Sequence, residues 1–132
     1  MDAARLDQIQ LFAEMTADER AQLAPHLREV TVEAGASLAV QGDNAYELFV
    51  IEEGGADVHK DGAFVRTLGP GDVFGEIGLI ATGTRTATVV ATSPTRLIAM
   101  FVSEFLKLER EHPEIAKSVR AIAAERAART AF

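Results

Sequence analysis

Between residues 28 and 102 the chain consists of short apolar or alternating stretches that are separated by turn-forming residues. The turns include Gly42-Asp43-Asn44, Asp61-Gly62 and Gly69-Pro70-Gly71-Asp72. Stretches of this length are typical of β-strands, and Asp-Gly between two of them is a strong hairpin signal. The predicted strands are at about 28–32, 37–41, 47–52, 56–60, 64–68, 87–92 and 95–102. Strands this short and this numerous favour a sandwich or barrel over a parallel sheet.

Helical patterns flank this region on both sides. Before it, apolar residues at helical spacing predict a short opening helix, and a capping box predicts a second helix. The residues concerned are Leu6, Ile9 and Leu11 for the first helix, and Thr16 and Glu19 for the second. After it, helices are predicted at about 104–111 and 114–130, with Pro113 in the first turn of the last one. The chain is therefore expected to be mainly β with flanking helices, an α+β protein.

Length and composition indicate one globular domain of 132 residues, 48% of them hydrophobic and 25% charged. The expected parts are N-terminal helices at 1–27, a β-roll at 28–102 and C-terminal helices at 103–132. A net charge of −7 argues against a nucleic-acid surface, and against an anionic ligand unless positive charge is concentrated locally. The absence of cysteine excludes disulfides and thiolate chemistry. We expect no signal peptide or membrane span, and a cytoplasmic protein.

The sixteen residues from Phe74 to Val89 combine side chains that suit a phosphate joined to a sugar. Phe74-Gly75-Glu76 leads into a predicted apolar helix at 76–80, and the free N–H groups of a helix N-terminus attract phosphate. Arg85 follows nine residues after Glu76 and offers a planar fork of donors to the same phosphate. Because a carboxylate repels phosphate, Glu76 fits a sugar hydroxyl instead, from which it can accept a hydrogen bond.

This segment resembles the phosphate-binding cassette of cyclic nucleotide-binding domains. That family occurs in catabolite-activator-type regulators, the regulatory subunit of cyclic-AMP-dependent kinase and cyclic-nucleotide-gated channels. The matching residues are Phe74, Gly75, Glu76, Leu79, Ile80, Arg85, Ala87, Thr88 and Val89. Gly78 and Thr84 depart from the commoner alanine and proline. The resemblance covers nearly the whole chain and implies an antiparallel double-stranded β-helix, or jelly-roll, with N-terminal helices, a short cassette helix and two C-terminal helices.

The resemblance also implies which residues bind the ligand. Glu76 and the backbone of Gly75 would bind the ribose 2′-hydroxyl. Arg85 would bind the cyclic phosphate, together with the N–H groups of Gly78 and Thr86. The full expected binding set is Gly75, Glu76, Ile77, Gly78, Arg85, Thr86 and Ala87.

The cassette constrains the base less closely than the phosphate. The hydroxyl of Thr86 can reach a base held over the phosphate, and in some relatives this contact favours guanine. Relatives selective for cyclic AMP also carry threonine here, and no other base contact can be identified in the strands. Cyclic AMP is therefore the favoured ligand, and cyclic GMP is the alternative.

The last predicted helix is the candidate moving part. In the family it swings over the base and caps it through an aliphatic, aromatic or basic residue. The candidate lids are Val119, Ile122, Arg126 and Phe132, and simple packing of the helix on the roll explains each of them equally well. Residues 113–132 carry a net charge of +2 against −9 for residues 1–112, which suits contact with the roll or with a partner. A homodimer through this helix is one candidate assembly.

Catalysis is not expected. The three histidines, His26, His59 and His112, are isolated on different predicted elements and do not form a metal site. The neighbouring acids Glu52 and Glu53 are expected on opposite faces of a strand. Two alternatives to a sensor remain: a domain of the same fold that binds no nucleotide, and a transcription factor that would need an additional helix-turn-helix. The effector domain or protein cannot be identified from the sequence, since one fold serves many outputs.

Overall fold

The computed structural model describes residues 1–7, 9–75 and 84–129. Three short helices come first, α1 (Ala3–Leu6), α2 (Gln10–Ala13) and α3 (Ala17–Leu23), followed by a 3₁₀ turn at Ala24–His26. The strands are β1 (Arg28–Val32), β2 (Ser37–Ala39), β3 (Glu47–Glu53), β4 (Ala56–Lys60), β5 (Ala63–Leu68), β6 (Val73–Phe74), β7 (Thr88–Ala91) and β8 (Thr95–Phe101). Helices α4 (Val102–Glu111) and α5 (Pro113–Arg129) end the described chain. The cassette helix predicted at 76–80 lies outside these residues.

The predicted strands are all found, and β6 is an additional one. The predicted opening helix is instead two helices of four residues, since Ile9 takes an extended conformation and is the N-cap of α2. The capping box of α3 is confirmed: the Thr16 hydroxyl accepts from the Glu19 N–H at 3.1 Å, and the Glu19 carboxylate accepts from the Thr16 N–H at 2.9 Å. Among the described residues, no helix is long and apolar enough to cross a membrane.

The strands form two four-stranded antiparallel sheets, which confirms the predicted roll. The first sheet has the order β1-β8-β3-β6, and the second has the order β2-β7-β4-β5. Asp61 and Gly62 connect β4 to β5 with positive φ angles of 53° and 81°. This is the combination that a type I′ hairpin requires, and it explains the Asp-Gly signal.

Strand β3 separates two apolar clusters. Phe49 and Ile51 face the interior of the roll, whereas Leu48 and Val50 face the helices. The interior cluster contains Ala39, Phe49, Ile51, Ala56, Val58, Leu68, Phe74, Ala87, Val89, Leu97 and Ala99. The helix cluster contains Leu6, Ile9, Phe12, Met15, Leu23, Ala24, Leu27, Leu48, Val50, Val73, Ile98, Met100, Phe105, Leu108, Ile115, Ala116 and Val119. Because both faces of the middle of β3 are buried, residues 48–51 form a continuous apolar run.

An ion-pair network joins the N-terminal helices to one end of the roll. The Arg5 guanidinium donates to the carboxylates of Glu29 and Glu52, and the Arg96 guanidinium also donates to Glu52. Arg96 lies 2.8 Å from Glu53 as well. Both carboxylates therefore contact one arginine, and the pairing of β3 with β8 shifts register between Ile51 and Glu53.

Candidate functional site

Arg85 is fixed at the entrance to β7 by the loop that precedes β3. Its N–H donates to the Asp43 carbonyl at 2.8 Å, and its carbonyl accepts from the Gly42 N–H at 3.0 Å. An isolated antiparallel bridge between Asn44 and Thr84 continues this pairing. The turn at 42–44, which the sequence shows only as a strand separator, therefore positions the backbone of Arg85.

The Arg85 side chain is buried, with 8% of the residue exposed. Its guanidinium carbon lies 5.7 Å from the centroid of the Phe49 ring. Phe49 in turn stacks on Phe74, with the ring centroids 5.0 Å apart. An aromatic face attracts a cation, and removal of the guanidinium from water strengthens its attraction for an anion. The arrangement suits the recognition of a negatively charged ligand.

Gly75 lies directly against the guanidinium. A Cβ atom at this position would be 2.2 Å from the Arg85 Nη1 and 2.6 Å from the Glu47 carbonyl oxygen. Gly75 also has a φ of +85°, which L side chains rarely adopt. Strand β6 brings it here through the pairing of Phe74 with Phe49. The structure thus brings together Gly75 and Arg85, which come from opposite halves of the predicted cassette.

A cavity of about 210 Å³ opens beside Arg85. Its described lining residues are Ser37, Leu38, Ala39, Val40, Asp43, Asn44, Glu47 and Arg85. Except for Arg85, none of these residues was predicted as part of the site. The motif is local in sequence, whereas the lining comes from β2, the 42–44 turn and the start of β3, which reach Arg85 only through the fold.

The other predicted binding residues fall into two groups. Thr86 is half-buried, and Ala87 is buried in the interior cluster next to Arg85 in the chain. Glu76, Ile77 and Gly78 lie outside the described residues. The ligand-binding roles of all of these residues stay predictions.

The candidate lids lie on the helices or beyond the described chain. Val119 is 4% exposed and belongs to the helix cluster, and Ile122 packs against that cluster. Phe132 and the side chain of Arg126 are outside the described part of the chain. Val119 and Ile122 are therefore packed on the helix side of the first sheet, and their lid roles stay predictions.

Comparison with known proteins agrees with this geometry. Residues 29–112 match the family model of the cyclic nucleotide-binding domain. This chain belongs to the cyclic nucleotide-binding domain family. A putative cyclic nucleotide-binding protein from Geobacter metallireducens has a solved structure with a TM-score of 0.85 over 98% of this chain and 97% of its own, at 20% identity. At that identity the likeness shows the shared fold.

Two curated relatives are more similar in sequence. The cAMP-dependent protein kinase regulatory subunit of Yarrowia lipolytica is 33% identical over 98 residues, which are 74% of this chain and 26% of that protein. The Cyclic AMP receptor protein of Thermus thermophilus is 35% identical over 97 residues, 70% of this chain and 45% of that protein. This chain spans less than half the length of either relative.

Proposed function

We propose that this chain is a sensor of cyclic AMP that binds the ribose and cyclic phosphate through residues 74–89 and signals through its C-terminal helices. The observation that carries the proposal is the buried Arg85 guanidinium packed against Gly75 beside a cavity. The names of the two curated relatives support cyclic AMP over cyclic GMP. The proposed role is binding and regulation, without catalysis.

In this proposal each part of the site has a distinct task. The Arg85 fork bonds two oxygens of the cyclic phosphate in a charge-assisted pair. The missing side chain of Gly75 leaves space for the guanidinium. Phe49 supports the guanidinium from the interior cluster. Glu76 binds the ribose hydroxyl, and the N–H groups of Gly78 and Thr86 complete the phosphate contacts.

Strand β6 offers a physical route for signalling. Phe74 faces the interior cluster and stacks on Phe49, whereas Val73 faces the helix cluster that includes Ile115 and Val119 of α5. The cassette begins at Phe74, the last residue of this strand. A ligand that binds one arrangement of the cassette more tightly shifts the population of states by that difference in affinity. In the proposal, such a shift alters the packing of α5 on β6.

The binding proposal is tested by calorimetric titration of the wild type with cyclic AMP and cyclic GMP. We expect Arg85→Ala to weaken cyclic AMP binding by roughly 30- to 1000-fold, through loss of about 2–4 kcal/mol from the phosphate pair. Arg110→Ala is the matched control, since Arg110 is exposed on α4. Thermal unfolding of both variants checks that they fold. The proposal fails if the wild type binds neither nucleotide, or if Arg85→Ala binds as tightly as the wild type.

The signalling proposal needs a separate measurement. Amide hydrogen exchange across α5 should change when cyclic AMP saturates the protein, because α5 packs against β6. The Arg85→Ala variant at the same nucleotide concentration is the control. Unchanged exchange in α5 of the saturated wild type contradicts movement of this helix and leaves the binding proposal intact.

A further inference from the structure

The cavity beside Arg85 carries more negative than positive charge. Of the described residues that line it, Arg85 alone is cationic, whereas Asp43 and Glu47 are acidic. The remaining lining residues are neutral. Within the described part of the chain, the site of a proposed anionic ligand therefore has two carboxylates for one guanidinium.

Both acidic residues are fixed to the backbone that surrounds Arg85. Asp43 accepts the Arg85 N–H through its carbonyl and donates its own N–H to the Val40 carbonyl at 3.0 Å. Glu47 begins β3, and its carbonyl oxygen would lie 2.6 Å from a Cβ atom added to Gly75. Asp43 therefore helps to hold the backbone of Arg85, and Glu47 lies beside Gly75.

The number of charges on a phosphate distinguishes the nucleotides that could enter. The cyclic phosphate is a diester and carries one negative charge. The phosphate of a linear 5′-nucleotide is a monoester with a second pKa of about 6, so it carries about −1.5 to −2 at neutral pH. One guanidinium balances the first charge, and the second charge meets the carboxylates of Asp43 and Glu47.

We propose that Asp43 and Glu47 make the Arg85 cavity reject phosphate dianions, and thereby select cyclic nucleotides over linear nucleoside monophosphates. This inference rests on the proposed function of the same site. The two carboxylates weaken the binding of every phosphate, but their repulsion of a dianion is about twice their repulsion of a monoanion. Specificity then comes from a repulsive element that is directed at the competing ligand.

The test measures the ratio of the 5′-AMP and cyclic AMP dissociation constants, by displacement of a fluorescent cyclic nucleotide. We expect Asp43→Asn and Glu47→Gln each to lower this ratio by about fivefold, the effect of one nearby like charge in a water-like medium. The double variant should lower it further. Glu111→Gln changes the net charge equally at an exposed position on α4, and its ratio should equal that of the wild type.

The pH dependence gives a second readout that a structural role would not change. As pH falls from about 8 to about 5.5, the monoester gains a proton and becomes a monoanion, so the wild-type ratio should fall. In the double variant this fall should be smaller than in the wild type, because two of the negative charges that repel the dianion are gone.

The outcomes separate this inference from the proposed function. If the wild type binds no fluorescent cyclic nucleotide, the proposed function and this inference both fail. If it binds cyclic nucleotide and the ratio in both single variants and the double variant equals the wild-type ratio, the inference is overturned while the proposed function stands. A ratio that changes equally in Glu111→Gln also overturns it, because the effect is then one of net charge alone.

Discussion

The two ends of β3 hold arginines in opposite environments. At the Glu47 end, Arg85 is almost fully buried and lies over the ring of Phe49. At the Glu52 end, the side chains of Arg5 and Arg96 are 34% and 41% exposed and donate to carboxylates. This second group, the ion-pair network, consists of Arg5, Glu29, Glu52, Glu53 and Arg96.

Cavity size alone does not distinguish the two ends. Arg5, Glu52, Glu53 and Arg96 of the ion-pair network line a cavity of about 410 Å³, which is larger than the cavity beside Arg85. The arginines of the network are about a third or more exposed and bond three carboxylates of β1 and β3, whereas Arg85 is 8% exposed and lies over the Phe49 ring. The surroundings of an arginine, and not the size of the cavity beside it, therefore indicate its role. We interpret the network as the group of contacts that holds α1 against the roll. We interpret the Arg85 end of β3 as the proposed ligand site.

Because of this difference, we expect substitutions at the Arg85 end to lower ligand affinity and substitutions in the ion-pair network to lower stability. Among the variants that compare the two ends, the largest effect is expected from Gly75→Ala, because the new methyl group would collide with the Arg85 guanidinium and the Glu47 carbonyl. We expect cyclic AMP affinity to fall on the order of tenfold or more as the fork is displaced from its position. The positive φ adds a stability cost of about 1–2 kcal/mol. Calorimetry and thermal unfolding measure the two effects.

Gly71→Ala is the matched control at the other end of β3. Gly71 has a φ of +89°, and a methyl group added there would have no neighbouring atom within 4 Å, so the variant shares the backbone strain without the collision. It should lose stability and keep its affinity. Equal affinity losses in Gly71→Ala and Gly75→Ala would show that strain, and not displacement of Arg85, weakens binding.

Local patterns predicted most of the fold because each one has a local physical cause. The Asp61-Gly62 hairpin requires two positive φ angles, and the Thr16–Glu19 capping box closes within four residues. Strand β6 was not predicted from the sequence, because two residues are too few to show an alternating pattern. Its pairing with β3 is what brings Gly75 to Arg85.

The candidate site was predicted only as far as the cassette motif extends. Gly75 and Arg85 belong to one segment of sequence, so the motif includes both. Asp43 and Glu47 occur about forty residues earlier, and their place in the cavity depends on the pairing of the 42–44 turn with Arg85. The ion-pair network was missed for the same reason, since Arg5 and Glu52 are 47 residues apart.

The second-largest effect is expected from Glu52→Gln, and it should be a loss of stability. The Glu52 side chain is 13% exposed and accepts hydrogen bonds from both Arg5 and Arg96. Loss of its charge should lower the free energy of unfolding by about 1–3 kcal/mol, measured by chemical denaturation. Cyclic AMP affinity should stay within about twofold of the wild type, a difference of about 0.4 kcal/mol.

Glu53→Gln is the control for Glu52→Gln. Glu53 contacts Arg96, but its side chain is 68% exposed, so its loss should have a smaller effect on stability. A large loss of cyclic AMP affinity in Glu52→Gln would contradict the separation of the two ends. It would show instead that the network and the Arg85 site are coupled along β3.

The smallest effect is expected from Glu29→Gln, and it should depend on pH. The hydrogen bond from Arg5 holds the pKa of Glu29 below its usual value against the opposing effect of burial, and the charges of Arg5 and Arg96 lower it further. A carboxyl whose pKa is lowered by folding stabilises the protein above its unfolded pKa of about 4.3, and that contribution is lost as pH falls through the folded value.

The stability difference between the wild type and Glu29→Gln should therefore be constant near neutral pH and shrink below about pH 4.5. Because both partners are substantially exposed, the difference should also shrink as salt is added. Chemical denaturation across this pH range, at low and high salt, measures both trends. A difference that persists in acid would mean that Glu29 acts through packing and not through its charge. The Arg5 contact would then fasten α1 to the roll through Glu52.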